Sequence, residues 1–153
     1  SIFRDISCRF SVGSHDVVTK IDKLISENKE NYKVLKNLKE KCMAGEVELL
    51  NSRRVIKDNI VYIKHIYEDK TLEELKGLAK NVIMKSNNMI VCLATSPEPC
   101  SLIIARSKDL QLNLSELMKN FNGKLTGKGG GTPDFVQGGG YKLEEIENIL
   151  LEL

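Results

Sequence analysis

The segment from Lys128 to Tyr141 is the part of the sequence best suited to bind a ligand. It reads Lys-Gly-Gly-Gly-Thr-Pro-Asp-Phe-Val-Gln-Gly-Gly-Gly-Tyr, so two glycine triplets flank a short core. Glycine accepts positive φ and lets a ligand approach the backbone closely. Successive free amides in glycine-rich turns form concavities that bind anions, and a predicted helix N-terminus follows. We predict an ordered turn, strand, turn unit. Its amides could cradle phosphate, but against this the unit lacks the Gly-Lys-Ser/Thr ending of a P-loop.

Basic side chains surround the same segment, and Arg106 and Lys108 end a strand that is expected nearby. Clustered lysine and arginine provide the salt-dependent, sequence-independent part of RNA affinity, and backbone amides or a glutamine amide can contact ribose or phosphate. The alternative is a solvated surface. The predicted RNA-binding residues are Lys124, Lys128, Gly129, Gly130, Gly131, Thr132, Gln137, Gly138, Gly139 and Lys142.

No catalytic constellation is visible in the sequence. His15 and His65 are not spaced as helical metal ligands, so a solvated or packed histidine is the expectation for each. The four cysteines form no Cys-x-x-Cys pair and are expected to be structural free thiols. We therefore predict no metal site, no cofactor and no enzymatic activity for this chain.

The order Gly-Gly-Gly-Thr-Pro-Asp-Phe-Val-Gln-Gly-Gly, from Gly129 to Gly139, resembles the signature of the DHHA1 domain. That domain is found at the C-terminus of alanyl-tRNA synthetases and of the longer free-standing alanyl-tRNA editing proteins. This signature matches without gaps and has Pro133 and Gln137 between two glycine clusters. The resemblance as a whole extends over residues 55–153. Synthetases usually have Arg before the proline, whereas Thr132 is more similar to the editing-protein branch.

The resemblance implies a non-catalytic module that binds tRNA, expected to be alanine tRNA, at its outer corner. A separate upstream domain would hydrolyse mischarged alanyl-tRNA or join alanine to tRNA. Zinc is expected only in an upstream editing domain, because no His-x-x-x-His or Cys-x-x-x-His motif occurs here. Two alternatives remain: a purely structural dimerisation domain, or an accessory nucleic-acid-binding domain of a DHH-family phosphoesterase. In the phosphoesterases a Gly-Gly-Gly-His run contacts substrate, and Thr132 stands where that histidine would be.

The N-terminal third is predicted to be a long helix or helical hairpin arm from Val12 to Leu50, with Ser14 as its N-cap. Apolar residues recur at alternating steps of three and four, the spacing of a coiled coil, with two asparagines in the seam. The arm is either a homodimerisation element or a stripe that packs on the chain's own globular part. The predicted dimerisation residues are Ile21, Leu24, Asn28, Leu35 and Leu38.

The rest of the chain alternates strand and helix patterns. A β-branched and aromatic run at 60–67 predicts a strand, Thr71 caps a helix that ends near Ser86, and two further strands follow at 89–94 and 101–105. Asn113 or Ser115 caps a short helix, and an amphipathic helix at 143–153 closes the chain. The predicted fold is α+β: the arm at 1–50, then a small mixed β-sheet packed with helices at 51–153, with the glycine-rich unit at 127–140.

Size and charge add few constraints. The chain has 153 residues and a net charge of only +2, so nucleic-acid binding must come from local clustering, including a second basic group at Arg53, Arg54 and Lys57. Neither a signal segment nor an apolar stretch long enough for a bilayer occurs, which predicts a cytoplasmic protein without a membrane partner. The start at Ser1, without Met, indicates a piece of a longer protein; a processed start is the alternative.

Overall fold

The computed structural model describes residues 2–11, 13 and 15–153, without the side chain of Phe3. The chain divides into two compact units, one ending at Ala44 and one from Gly45 to Leu153. Val12 and Ser14, where the sequence placed the start of the arm, lie outside the described residues.

A short helix that the sequence did not predict precedes the long helix of the arm. Helix α1 spans Ile2–Phe10 and helix α2 spans Val17–Asn51, so α2 extends into the second unit. The sequence did not predict α1, because nine residues give too few turns for a clear apolar period. Helix α2 agrees with the predicted long helix of the arm.

The second unit is built on one six-stranded mixed sheet with the order β1-β2-β3-β4-β6-β5. Strands β2 and β3 are parallel and every other neighbouring pair is antiparallel. Helix α3 (Leu72–Met84) joins the parallel pair, as a crossover connection must. The strands are β1 (Val55–Lys57), β2 (Ile60–Tyr67), β3 (Met89–Thr95), β4 (Cys100–Arg106), β5 (Lys128–Gly131) and β6 (Phe135–Tyr141). The predicted α+β class is confirmed.

Helices cover both faces of this sheet. Helix α3 packs on β3 and β4, and the opposite face carries α4 (Leu114–Asn122) and α5 (Leu143–Glu152). Thr71 forms the predicted cap, since its side chain accepts from the Glu74 amide while Glu74 accepts from the Thr71 amide. Between the two candidates for the cap of α4 the structure selects Asn113, whose side-chain oxygen accepts from the amides of Ser115 and Glu116.

Strand β3 is buried along its whole length, which explains why its sequence is a continuous apolar run. Successive side chains of a strand point to opposite faces, so alternate residues face α3 on one side and α4 with α5 on the other. The core cluster on the second side contains Ile90, Cys92, Ala94, Cys100, Leu102, Ile104, Leu114, Met118, Phe121, Val136, Tyr141, Ile146 and Ile149. Among the described helices, none is long and apolar enough to cross a membrane.

The glycine-rich run is a β-hairpin, and the predicted order of turn, strand, turn is wrong. Both glycine triplets lie in strands, with Gly129 paired to Gly138, and the connection is made by residues 132–134. Low strand propensity suggested turns for the glycines, but tertiary packing overrides that preference. A Cβ at Gly129 would collide with the Gln137 carbonyl oxygen, and a Cβ at Gly138 would lie 2.6 Å from the Tyr141 hydroxyl. The sequence also missed β1, which has only three residues.

The close packing at Gly138 predicts unequal effects of two neighbouring substitutions. Gly138→Ala would place a methyl group against the buried Tyr141 ring and 3.0 Å from the Lys128 carbonyl oxygen, so we expect a loss of about 1–3 kcal/mol in the free energy of unfolding. Gly139→Ala is the matched control, because the nearest atom to its Cβ is Ser101 Oγ at 3.8 Å. Urea denaturation measures both. Equal stability of the two variants would contradict this packing.

Candidate nucleic-acid interface

A cavity of about 380 Å³ lies on the glycine-rich hairpin next to the start of α3. We call it the glycine cavity; it is lined by Leu72, Ser101, Lys128, Gly129, Gly130, Gln137, Gly138 and Gly139. Six of the ten sequence-predicted RNA-binding residues are therefore in one concavity. Leu72 and Ser101 were missed, because they are distant in sequence and carry no motif.

The strand register decides which residues line the glycine cavity. Lys128 pairs with Gly139 and Gly130 pairs with Gln137. These four residues alternate along β5 and β6, so they share one face of the hairpin. Lys128 is exposed there, and it provides the cationic group of the cavity.

Two glycines of the glycine cavity are not required by packing within the protein. A Cβ at Gly130 would meet nothing within 4 Å, and a Cβ at Gly139 would make only an ordinary contact with Ser101. Glycine inside a strand weakens it and often marks a place where a ligand or another backbone approaches closely. The missing side chains keep the floor of the cavity open.

Gln137 lines the glycine cavity, and its side chain also contains a buried oxygen. Its Oε1 is buried, and none of the described residues donates a hydrogen bond to it. Leaving a buried acceptor unpaired costs about 1–3 kcal/mol, so native proteins do it rarely. Gln137 Oε1 has almost no accessible surface, so this acceptor is not presented to a ligand in the cavity.

Asn122, at the end of α4, holds the outer strand of the hairpin. Its Nδ2 donates to the Gly129 carbonyl oxygen and its Oδ1 accepts from the Gly129 amide, both at 2.8 Å. Strand β5 is at the edge of the sheet, and the Asn122 amide replaces the hydrogen bonds of a missing neighbour strand at this residue. No sequence signal identified Asn122.

The other four predicted RNA-binding residues lie outside the lining of the glycine cavity. Gly131 and Thr132 are at the turn of the hairpin, where the Thr132 hydroxyl donates to Asp134 Oδ1 at 2.6 Å. This hydrogen bond is the main reason that the pKa of Asp134 is lowered. Lys124 and Lys142 are exposed and follow the ends of α4 and β6.

A second cavity, of about 610 Å³, lies at the opposite end of β6. Its lining mixes charges: Lys80 and Lys108 are there with Asp109 and Asp134, and both aspartates have lowered pKa values. The Arg106 guanidinium is engaged by carbonyl oxygens, with Nε donating to those of Leu112 and Pro133. Two carboxylates in this lining repel phosphate, whereas the lining of the glycine cavity contains no carboxylate.

The remaining predicted groups are placed as follows. Arg53 Nη1 contacts His65 Nδ1 at 2.5 Å, and the pKa of His65 is lowered, mainly by burial and then by Arg53.

All four cysteines are free; Cys92 and Cys100 are buried, and burial raises the pKa of Cys92 to about 12. Within residues 2–11, 13 and 15–153, no group of three or more His, Cys, Asp or Glu side chains could hold a metal ion.

The predicted dimerisation residues are on α2 within the first unit. Leu35 and Leu38 are 55% and 54% exposed, Leu24 and Asn28 are also exposed, and Ile21 is half-buried. We call Leu24, Asn28, Leu35 and Leu38 the arm stripe. Long apolar side chains at coiled-coil spacing are thus left uncovered on this helix.

Comparison with known proteins gives consistent matches. The model of the family described as "DHHA1 domain" matches residues 58–153. An alanine–tRNA ligase of Leptospira interrogans is 31% identical over 98% of the chain, and that of Opitutus terrae is 26% identical over 95%. The chain spans only 15% and 16% of the lengths of these curated relatives.

A solved structure matches as well. The C-Ala domain from Aquifex aeolicus alanyl-tRNA synthetase is 26% identical, with a TM-score of 0.56. The match covers 65% of this chain and 95% of that domain. The sheet and helices described above therefore have a counterpart of known structure.

Glu145 connects the segment before β5 to the start of α5. Its Oε1 accepts from the Thr126 amide at 2.9 Å, and its Oε2 accepts from the Thr126 hydroxyl at 2.6 Å and from the Lys142 amide at 2.9 Å. These bonds, first the one from the Thr126 hydroxyl, lower the pKa of Glu145.

The lowered pKa of Glu145 predicts a specific acid sensitivity. A depressed folded-state pKa stabilises the fold above the unfolded value of about 4.3, and that contribution is lost as the pH falls through the folded value. We expect Glu145→Gln to be less stable than wild type at neutral pH and to lose less stability on acidification. Thermal unfolding between about pH 3 and 7 measures this. Glu144→Gln, the exposed neighbour, is the control; parallel pH profiles for Glu145→Gln and wild type would contradict the assignment.

Proposed function

The chain belongs to the DHHA1 domain family, and from this premise we propose that it is a non-catalytic module that binds tRNA. The glycine cavity is the observation that carries the proposal. It joins an exposed lysine and an open glycine floor on one face of the hairpin that contains the family signature.

We propose that the bound RNA is alanine tRNA and that a separate upstream domain acts on it. The relatives are alanine–tRNA ligases, and the structural counterpart comes from an alanyl-tRNA synthetase. These names support a ligase as the parent protein, whereas Thr132 before Pro133 favours the branch of alanyl-tRNA editing proteins. In either case the chain would hold the tRNA body while the upstream domain joins alanine or hydrolyses mischarged alanyl-tRNA. Zinc would belong to an upstream editing domain, and a cytoplasmic location remains a prediction.

Within this proposal Lys128 binds the RNA backbone at the glycine cavity, and Lys124 and Lys142 extend the basic surface. All three are exposed. A phosphoesterase accessory domain is the weaker candidate. Thr132 stands where the phosphoesterases have a histidine that contacts substrate, but its hydroxyl donates to Asp134 and Thr132 does not line the glycine cavity.

We propose in addition that the arm stripe pairs two copies of the chain. Burying half-exposed leucines at alternating steps of three and four is the driving force of a coiled coil, and the asparagine in the stripe would set register at a cost in stability. The competing interpretation is a domain that dimerises without any RNA contact.

Removing the two lysines tests the RNA surface. Lys124→Ala with Lys128→Ala should weaken binding to all tRNAs similarly, and the slope of log affinity against log salt should fall by about 1 for each lysine that contacts a phosphate. Fluorescence anisotropy across a salt series measures both quantities.

The matched control removes the same charge from the opposite edge of the sheet. The control variant combines Arg54→Ala with Lys57→Ala. These two side chains are at β1, whereas Lys128 is in β5 at the other edge of the sheet. Equal losses in the two double variants would contradict an RNA surface confined to the β5 edge, because the second basic group at β1 would then contribute as much. A loss confined to the β1 variant would move the RNA surface to that edge.

Replacing two leucines tests the arm stripe. Leu35→Ser with Leu38→Ser should shift sedimentation from dimer to monomer, because it removes apolar area from the centre of the seam. Lys33→Ser with Lys36→Ser, at exposed positions between the seam residues, is the control. A dimer that survives the leucine changes would show that α2 does not pair through this stripe.

A further inference from the structure

We infer that helix α2 carries a second RNA contact, on the exposed face formed by Lys29, Tyr32, Lys33 and Lys36. We call these four residues the arm patch. The inference takes the class of partner, RNA, from the proposed function, and it adds a contact that the glycine cavity does not include. Three features of the arm patch support it: its lysines, its tyrosine and its place on the helix.

The lysines of the arm patch are neighbours that the helix does not neutralise. Lys29 and Lys33 are four residues apart and Lys33 and Lys36 are three apart, so they adjoin on the helix surface. Among the residues that the structure describes, none of the three forms an ion pair, whereas Lys23 pairs with Glu27 at 3.9 Å. Like charges at these spacings destabilise a helix. A polyanion bound to the patch would remove that repulsion.

Carboxylates are scarce around the arm patch. Residues 29–41 contain five lysines and two glutamates. Glu30 directly follows Lys29 and is therefore turned by about 100° around the helix, and Glu40 follows Lys36 by four residues and limits the patch at one end. The patch is therefore a positive surface that complements a phosphate backbone.

Tyr32 lies among these lysines and is 72% exposed. It follows Lys29 by three residues and precedes Lys36 by four, so the three positions share one face of α2. Packing within the chain does not account for an aromatic ring so widely exposed to water. Aromatic rings stack on unpaired bases while neighbouring cations bind the adjoining phosphates. The combination favours a single-stranded segment of RNA over a duplex.

The arm patch and the arm stripe are on different faces of α2. Lys29 directly follows Asn28 and Lys36 directly follows Leu35, and each step along a helix turns by about 100°. With the stripe at positions a and d of a heptad, the three lysines take positions b and f, which face outward in a coiled coil. Pairing of two chains through the stripe would therefore leave the lysines accessible to RNA.

The first test uses the full chain and fluorescein-labelled oligouridine, with anisotropy measured across a salt series. Lys29→Gln with Lys36→Gln removes two charges from the patch and keeps helix propensity nearly constant. We expect weaker binding and a slope of log affinity against log salt that falls by about 0.7 for each lysine on a single-stranded phosphate. Lys23→Gln with Lys41→Gln is the matched control and should keep the wild-type slope, because both lysines are exposed on α2 outside the patch.

The second test concerns the tyrosine ring. Tyr32→Leu should bind oligouridine at least about fivefold more weakly, because it removes stacking on a base. Tyr32→Phe retains the ring and should bind as the wild type does. A duplex RNA of the same length should bind the three proteins equally. Equal oligouridine affinities of Tyr32→Leu and Tyr32→Phe would overturn the stacking contact.

A comparison with the glycine hairpin separates this inference from the proposed function. Wild-type binding by Lys29→Gln with Lys36→Gln, together with a loss in Lys124→Ala with Lys128→Ala, would overturn the arm patch and keep the glycine cavity. The reverse result would keep the arm patch and reject the glycine cavity as an RNA surface. Sedimentation and circular dichroism verify that each variant retains the wild-type oligomeric state and helix content.

Two further results would overturn the arm patch. An equal loss in Lys23→Gln with Lys41→Gln would show that any positive charge on α2 serves. Binding of the chain to vesicles of phosphatidylserine and phosphatidylcholine, without binding to oligouridine, would show that the partner is an anionic lipid surface and not RNA.

Discussion

The close antiparallel contact between Gly129 of β5 and Gly138 of β6 is the constraint on which the rest of the site depends. Side chains at these positions would collide with the Gln137 carbonyl oxygen or with the Tyr141 ring. Because both are glycine, β5 can pair fully and end the sheet. Tyr141 then fills the core beneath the hairpin, where its hydroxyl lies 3.2 Å from Met118 Sδ.

The two glycine triplets serve two different purposes that alternate with the period of the strands. Gly129 and Gly138 are required by packing against backbone and core, whereas Gly130 and Gly139 have room for a methyl group and instead leave a surface open. A strand period of two places these pairs on opposite faces. One run of sequence thus closes the core on one side and forms the glycine cavity on the other.

Local charge, rather than net charge, distinguishes the two cavities described above on the second unit. The chain carries only +2, but Lys128 is exposed at a cavity whose lining contains no carboxylate, while the larger cavity contains Asp109 and Asp134. The first unit contributes a different kind of surface. Its arm stripe is apolar, so it favours pairing between helices over contact with phosphate.

Local patterns in the sequence determined the strand at 60–67, the capping box at Thr71, the buried β3 and the family signature, because each depends on neighbours within a few residues. Tertiary structure alone decided that the glycine triplets are strands and that Asn122 holds β5. It also placed Gln137 in one cavity with Leu72 and Ser101. The residues that line this cavity come from distant parts of the chain, and pairing across a sheet is set by packing rather than by the propensity of any one residue.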